Sequence, residues 1–339
     1  MRSVNPIHPT DDSRVKHASA AVNGVTLHYV IGEPEGPPRA TVLCIHGFPD
    51  LWYTWRYQIP ALLALDLRVI AVDCLGYGGS SAPKGQTSLY SLKRNADALA
   101  ALLDHLSIPA AILLAHDWGS MIAFRLYNYH PAKVSHIISL CVPYAPPHPS
   151  SPYLPLSDVV RRLPNFAYQI ALADPQTERD MAGPYNIRRF LKAMYRGVGD
   201  GRTAGVEINI NVTRNIMDAV GDVPMGWILS EEEMEWYVDQ FDRVGMHGPL
   251  SYYRTRRENH DDEKVLHDPV IKVPVLFLGA SRDAALPPSM AAGQGRFIPD
   301  LTTRTLECSH WMAWEKTDEV NALIASWLDD RLFGPRARL

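Results

Sequence analysis

Four short apolar segments, each ended by turn residues, divide the first part of the chain: "TVLCIHG", "RVIAVDCLG", "AAILLAHD" and "SHIISLCVP". Apolar runs of this length are typical of strands buried in a parallel sheet. Between the second and third runs, "SLYSLKRNADALAALLDHL" has the spacing of an amphipathic helix, with its apolar face formed by Leu92, Ala96, Leu99, Leu102 and Leu103. Strands that alternate with helices predict an α/β fold with a doubly wound, mostly parallel sheet.

A proline-dense segment at 141–157 interrupts this pattern, and strand-like runs resume only at "VPVLFLGA" and "TTRTLECSH", followed by a closing helix. The sequence between them is mainly helical. Its clearest helix is "LSEEEMEWYVDQFDRVG", where Ser230 and Glu233 form a capping box. We therefore predict a core formed by 1–145 and 265–339, with a helical lid inserted at 146–264 and a loose tail at 1–20.

Charge and composition exclude several classes of protein. The net charge is -4, and no run of Lys and Arg is longer than a pair, so a nucleic-acid partner is not expected. The longest apolar runs have the length of strands, so no membrane span is expected. The four cysteines form no Cys-x-x-Cys pair, which is typical of reduced packing thiols in a cytoplasmic enzyme.

The last three residues, Ala337-Arg338-Leu339, are a variant of the Ser-Lys-Leu peroxisomal signal. We therefore predict a cytoplasmic protein with peroxisomal localisation as an alternative. No cofactor and no metal are expected, because "NHDDE" at 259–263 has the composition of an acidic loop on the lid. The sequence leaves open whether the chain is a monomer or a homodimer.

The segment "AILLAHDWGSMIAF" has the pattern of a strand, a sharp turn and a helix. In many α/β enzymes this turn exposes a nucleophilic serine in the form G-x-S-x-G, but here Asp117 stands at that position. A carboxylate is ionised at neutral pH, so it can attack without a base to remove a proton. Its natural target is a saturated carbon that bears a leaving group.

Other strand ends carry the partners that such a nucleophile needs. Asp283 and His310 follow the last two strand-like runs, so the chain order is nucleophile, acid, histidine. We expect His310 to activate water and Asp283 to orient its imidazole. The backbone N–H groups of Phe48 and Trp118 are expected to form an oxyanion hole.

The loop after the first buried strand, His46-Gly47-Phe48-Pro49, is expected to shape that oxyanion hole. His46 is predicted to have a structural role in the loop and not to act as a base.

From about Gly24 to Leu332 the sequence resembles the soluble epoxide hydrolases of the α/β-hydrolase fold. The shared core segments are "HGFPD", "DCLGYGGSSAP", "AHDWGS", "SRDAALP" and "CSHW", and the shared lid segments are "NFAYQIA" and "EEEMEWYVDQFDRVGMHGPLSYYR". The lid segments set this family apart from haloalkane dehalogenases, which share the core segments.

This resemblance implies that a small apolar epoxide and water give a vicinal diol through an ester on Asp117. It also implies that Tyr168 and Tyr253 hydrogen-bond the epoxide oxygen, although Tyr252 is an alternative to its neighbour Tyr253.

The main alternative is a haloalkane dehalogenase that uses the same Asp117, His310 and Asp283. Such an enzyme needs side-chain N–H donors for halide, usually Trp118 together with an asparagine or a second tryptophan. Many dehalogenases carry asparagine where Phe48 stands, and fluoroacetate dehalogenases require arginine where Trp118 stands. Asp117 excludes a serine esterase at this turn. A receptor without turnover is disfavoured because every catalytic position is filled.

Overall fold

The structure is a computed structural model that describes residues 4–200 and 215–334. The predicted peroxisomal tripeptide Ala337-Arg338-Leu339 lies outside the described residues.

The centre of the fold is an eight-stranded sheet in the order β1-β2-β4-β3-β5-β6-β7-β8. β1 and β2 form an antiparallel hairpin at one edge, β2 pairs antiparallel with β4, and all the other pairs are parallel. This confirms the predicted α/β-hydrolase fold with its mostly parallel sheet. The strands are β1 Lys16–Val22, β2 Val25–Gly32, β3 Ala40–Ile45, β4 Leu67–Val72, β5 Ala111–His116, β6 Val134–Leu140, β7 Val275–Ala280 and β8 Leu301–Leu306.

The α-helices fall into two groups along the chain. Those before β6 or after β7 are α1 Gln58–Leu63, α2 Leu92–His105, α3 Trp118–Tyr129, α12 Met312–Glu315 and α13 Thr317–Leu328. Those between β6 and β7 are α4 Leu156–Arg162, α5 Tyr168–Ala173, α6 Pro175–Asp180, α7 Pro184–Met194, α8 Ile216–Val220, α9 Glu231–Val244, α10 His247–Ser251 and α11 Arg256–Asp262. We call the segment with the second group the lid. Its boundaries at 146 and 264 stay a prediction.

Sequence patterns located the buried face of one helix and the N-terminal cap of another correctly. All five apolar residues predicted for the inner face of α2 are buried. In α9 the Ser230 side chain accepts from the Glu233 backbone, and the Glu233 side chain accepts from the Ser230 backbone, so the predicted capping box is present. This cap fixes the start of the longest lid helix.

The prediction of a loose tail at 1–20 is wrong for the residues that the structure describes. β1 begins at Lys16 and pairs with β2 along its whole length. Further upstream, Ile7 is fully buried and its N–H donates to the Arg56 carbonyl at 2.9 Å. β1 is an edge strand with a polar sequence, and its backbone groups that face β2 are paired in the hairpin.

The acidic segment 259–263 is also not a loop, because most of it belongs to α11. Two of its residues make hydrogen bonds within the protein. Asp261 accepts from Arg257 at 2.8 Å, and His260 donates from Nε2 to the Ser151 carbonyl at 3.0 Å. All four cysteines are free and buried. Within the described ranges, no helix combines the length and the apolar character needed to cross a membrane.

A buried ion pair joins the lid to the core. The Arg56 side chain is fully buried, and its Nε lies 2.6 Å from a carboxylate oxygen of Glu233 at the start of α9. The guanidinium also lies over the rings of three core aromatic residues at 4.7–5.0 Å: Tyr53, Tyr57 and Trp314. Although burial alone would lower the pKa of Arg56, the Glu233 carboxylate and the neighbouring tyrosines together outweigh this effect and raise it.

Candidate active site

The turn between β5 and α3 presents Asp117 in a strained backbone conformation, with φ 52° and ψ -126°. Close packing holds this turn in place. A Cβ atom on Gly119 would overlap the carbonyl oxygen of Ile45, and one on Gly47 would overlap the Asp117 side chain. Only glycine fits at these two positions, since the backbone chains approach each other directly. The sequence thus forces the carboxylate out at the carboxyl edge of the sheet.

One oxygen of the Asp117 carboxylate already occupies the predicted oxyanion hole. The Phe48 N–H donates to Asp117 Oδ1 at 2.8 Å. Burial raises the pKa of Asp117, while His310 and the backbone N–H groups of Phe48 and Trp118 oppose that rise. The start of α3 adds a positive dipole at the same point. The other oxygen, Oδ2, therefore remains available for chemistry.

The loop that carries Phe48 is held by His46. The Nδ1 of His46 donates to the Gly47 carbonyl at 2.8 Å, and its Nε2 accepts from the Cys74 N–H at 3.0 Å. Burial lowers the pKa of His46 to about 4, so the imidazole is neutral at physiological pH. On the lid side, the Tyr195 hydroxyl donates to the Pro49 carbonyl. These contacts agree with the predicted structural role of His46.

His310 and Asp283 form a tight pair at the ends of β8 and β7. The Nδ1 of His310 lies 2.6 Å from Asp283 Oδ2. The other oxygen of Asp283 accepts from the N–H groups of Ala285 and Leu286 at 3.0 Å each. Burial alone would raise the pKa of Asp283, but His310 and these N–H groups lower it below its ordinary value. Asp283 is therefore ionised and accepts a hydrogen bond from the Nδ1–H group of His310.

The other imidazole nitrogen of His310 faces Asp117, with Nε2 at 3.7 Å from Asp117 Oδ2. Burial would lower the pKa of His310, but the carboxylates of Asp283 and Asp117 outweigh it and raise the pKa to about 9. Asp283 contributes more to this rise than Asp117 does, and the imidazole is consequently a cation at neutral pH.

Two residues that the sequence analysis did not select hold the backbone of His310. The Nε2 of His116 and the Sγ of Cys141 both donate to the His310 carbonyl, at 2.9 and 3.3 Å. The side chains of His116, Cys141 and His310 also lie close to one another, and within the described residues they form the one group that could hold a metal ion. Burial raises the pKa of the Cys141 thiol well above its ordinary value, so the thiol keeps the proton that it donates to the His310 carbonyl.

A narrow cavity of ≈ 110 Å³ opens above Asp117. Asp117, Asp283 and His310 lie on its core side, and Tyr168 and Tyr253 lie on its lid side. The rings of the two tyrosines are 6.3 Å apart between centroids. Burial raises the pKa of both hydroxyls above the ordinary value, so both keep their protons. The sequence pattern did not identify the apolar wall residues Leu172, Met194, Ile216 and Trp311. The wall also contains the polar residues Arg196, Arg282 and Ser309.

The structure separates Tyr252 from Tyr253. The Tyr252 hydroxyl lies in the core, 2.9 Å from both the Leu75 carbonyl and Asn95 Oδ1, and Tyr252 does not line the cavity. Tyr253 lines the cavity and packs edge-on against Trp118, with 5.2 Å between ring centroids. Of the two neighbours, only Tyr253 faces Asp117 across the cavity.

The sheet and the lid define this chain as an α/β hydrolase. Asp117 stands at the turn where many enzymes of this class carry a nucleophilic serine. The chain matches the family model described as "alpha/beta hydrolase fold" over residues 40–187. It belongs to the epoxide hydrolase family: it is 33% identical to "Epoxide hydrolase srdG" of Neurospora crassa, over 95% of this chain and 97% of that protein. The resemblance inferred from the core and lid segments is confirmed.

Other similar proteins are also named epoxide hydrolases. The chain is 33% identical to "Bifunctional epoxide hydrolase 2" of Mus musculus over 97% of its own length, but it spans only 58% of that protein. Among solved structures it is similar to Epoxide Hydrolase A from Mycobacterium thermoresistibile, with a TM-score of 0.78, 27% identity, and coverage of 93% of this chain and 98% of that one. An epoxide hydrolase from an endophytic Streptomyces gives a TM-score of 0.79 at 28% identity, with coverage of 94% and 96%.

Proposed function

We propose that this protein hydrolyses an epoxide to a vicinal diol through a covalent ester on Asp117. The observation that carries the proposal is the placement of the Asp117 carboxylate. Its Oδ1 accepts from the Phe48 N–H at 2.8 Å, and its Oδ2 lies 3.7 Å from His310 Nε2, in a cavity that two tyrosines close from the lid side. A nucleophile, a base and two acids therefore surround one small volume.

In the first step, Oδ2 of Asp117 attacks an epoxide carbon and the carbon–oxygen bond of the ring breaks. The leaving oxygen is a strongly basic alkoxide and takes a proton from a tyrosine hydroxyl. Tyr168 and Tyr253 face Asp117 across the cavity, where low polarity strengthens their hydrogen bonds to the developing charge. The product of this step is an alkyl ester of Asp117.

In the second step, His310 Nε2 takes a proton from water, and the resulting hydroxide attacks the ester carbonyl carbon. The oxyanion forms on Oδ1, which is the atom that accepts from the Phe48 N–H. When the intermediate collapses, the diol oxygen leaves with a proton from His310. The Asp117 carboxyl then ionises and its proton returns to the tyrosinate, so the cycle balances as epoxide plus water to diol.

Loss of charge on Asp117 makes this sequence of steps possible. The imidazole of His310 is a cation in the free enzyme, because Asp283 and, to a smaller extent, ionised Asp117 raise its pKa to about 9. Once Asp117 is an ester it carries no charge, so the pKa of His310 falls and the imidazolium releases its proton to solvent; the imidazole takes up a proton again after Asp117 has ionised. His310 then becomes a competent base at the stage when a base is needed.

A haloalkane dehalogenase is the second candidate, and the contacts of the two nearest indoles disfavour it. A halide requires side-chain N–H donors. Trp118 is absent from the described residues that line the cavity, and the Trp311 indole N–H already donates to the Met194 carbonyl at 2.6 Å. The side chain of Phe48 offers no donor.

The wall formed by Leu172, Met194 and Ile216 suits a small apolar substrate. A panel of aryl and alkyl epoxides, with haloalkanes of matched size, tests the proposal. We expect diol from at least one epoxide and no halide from the haloalkanes. Release of halide without formation of diol would exclude epoxide hydrolysis as the function.

A further inference from the structure

The two tyrosine hydroxyls act on a single oxygen atom, so their separation must be set by contacts within the lid. They come from different elements: Tyr168 is the first residue of α5, and Tyr253 lies in the 3₁₀ turn that follows α10. α5 has only six residues, and a helix this short is not stable by itself. Its position must depend on groups outside it.

Arg254, the residue directly after Tyr253, supplies such a contact. Its Nε donates to the carbonyl of Ala173, the last residue of α5, at 3.1 Å. Terminal carbonyls of a helix have no partner within the helix, and a cation at this end also suits the helix dipole. One side chain therefore links the turn that carries Tyr253 to the helix that carries Tyr168.

A carboxylate on α6 fixes this guanidinium from the other side. The Nη1 of Arg254 donates to Glu178 Oε2 at 2.8 Å, and His247 Nδ1 lies 3.2 Å from both oxygens of Glu178. His247 begins α10. Glu178 thus contacts the segment that carries Tyr253 both before and after the tyrosine. The side chains of Arg254 and His247 are each only 15% exposed, so water screens these contacts weakly.

We propose that Arg254 is a positioning residue that sets the distance between the hydroxyls of Tyr168 and Tyr253, with Glu178 holding its guanidinium. The inference rests on the proposed function, in which both hydroxyls act on the alkoxide. Arg254 touches no reacting atom. Its effect is confined to the first step, because the second step uses His310, Asp283 and the oxyanion hole. A misplacement of about 1 Å in such a donor costs on the order of 10²-fold in rate.

The test measures both chemical steps separately with styrene oxide as the probe, by rapid quench and intact-mass spectrometry of the full chain. Arg254→Met should slow ester formation by about 10- to 100-fold and leave ester hydrolysis unchanged. Arg254→Lys keeps a cation that can reach only one acceptor, and it should recover part of the rate. Arg179→Met is the matched control: Arg179 is an exposed arginine on α6 that pairs with Gln176, and its loss should change neither step.

A second experiment distinguishes positioning from a general loss of structure. In a Tyr168→Phe/Tyr253→Phe background, Arg254→Met should cause no further loss in ester formation, because the groups that it positions are gone. An equal slowing of both steps, or a full effect of Arg254→Met in that background, would overturn the inference. If Arg254→Met does not fold, Arg254→Lys and Glu178→Gln are judged by the same two rates.

The outcomes also separate this inference from the proposed function. Normal ester formation in the Tyr168→Phe/Tyr253→Phe variant would remove the tyrosines from the mechanism, and the inference with them. Slow ester formation in that variant, with wild-type rates in folded Arg254→Met and Glu178→Gln, would overturn the inference alone.

Discussion

Tyr252 and Tyr253 are consecutive residues whose hydroxyls lie in different environments. Tyr252 hydrogen-bonds core groups, at 2.9 Å from the Leu75 carbonyl and from Asn95 Oδ1, whereas Tyr253 lines the cavity above Asp117. The turn that contains them contacts the core through Tyr252 and borders the cavity with Tyr253. The sequence alone does not separate the environments of these two neighbouring residues.

This division predicts opposite effects for two substitutions. Tyr252→Phe leaves buried acceptors unsatisfied, so it should lower the free energy of unfolding by about 1–3 kcal/mol without changing the rate of ester formation. Tyr253→Phe should slow ester formation by at least about tenfold, since it removes one of two acids. Urea denaturation and single-turnover kinetics measure the two effects. Slower ester formation in folded Tyr252→Phe would mean that the assignment must be reversed.

Covalent catalysis predicts that the ester accumulates when the base is removed. His310→Gln should still open the epoxide once, and the ester should persist because general-base assistance of about 10²–10⁴-fold is lost. Intact-mass spectrometry should show an increase of one whole substrate, located on Asp117 by peptide mapping. Asp117→Ala should give neither adduct nor diol.

The opposite result has a clear meaning. If His310→Gln stays unmodified while the wild type forms diol, water attacks the epoxide directly. Asp117 would then act only through its charge, and the two-step mechanism would be wrong although the overall reaction would stand.

The pH dependence of the second step follows from the charge on Asp117. In the free enzyme the pKa of His310 is raised to about 9, so the imidazole loses its proton only as the pH rises through that value. In the ester the Asp117 charge is absent, and the pKa must be lower. Ester hydrolysis in single-turnover experiments should therefore rise with pH through a midpoint below the value that NMR gives for His310 in the free enzyme. Equal midpoints would contradict the role of Asp117 in this shift.

The positions of the candidate catalytic residues at the strand ends were predictable because each depends on a local pattern. Asp117, Asp283 and His310 each follow an apolar run, and parallel strands bring their ends to one edge of the sheet. β1 was missed because an edge strand needs no continuous apolar run. The lid residues Met194 and Ile216 were missed for a different reason: periodicity predicts that a helix has an inner face, but tertiary packing decides which residue of that face borders the cavity.

Some features of the site depend entirely on packing. The resemblance implied Tyr253 with Tyr252 as its alternative, and the contacts of Tyr252 with Leu75 and Asn95 separate the two. The contact of Arg254 with the end of α5 is similarly invisible in the sequence, because the two elements are distant along the chain.

The buried ion pair between lid and core gives the last prediction. Glu233→Gln preserves the capping box, because glutamine serves at that position as well as glutamate, but it removes the charge that faces Arg56. Removal of one partner of a buried pair typically costs about 3–5 kcal/mol, since the remaining charge is uncompensated. Glu235→Gln is the control on the same helix: Glu235 is 61% exposed and pairs with Arg188, so its loss should cost less than about 1 kcal/mol.

Urea denaturation should show a large decrease in the free energy of unfolding for Glu233→Gln and almost no decrease for Glu235→Gln. Addition of Arg56→Met to Glu233→Gln should restore part of the loss, because methionine fills the aromatic pocket without leaving an unpaired charge. If the double variant is instead less stable than Glu233→Gln by the full cost of a second independent substitution, then Arg56 stabilises the fold through its stacking on Tyr53, Tyr57 and Trp314. In that case the ion pair would not be what joins α9 to the core.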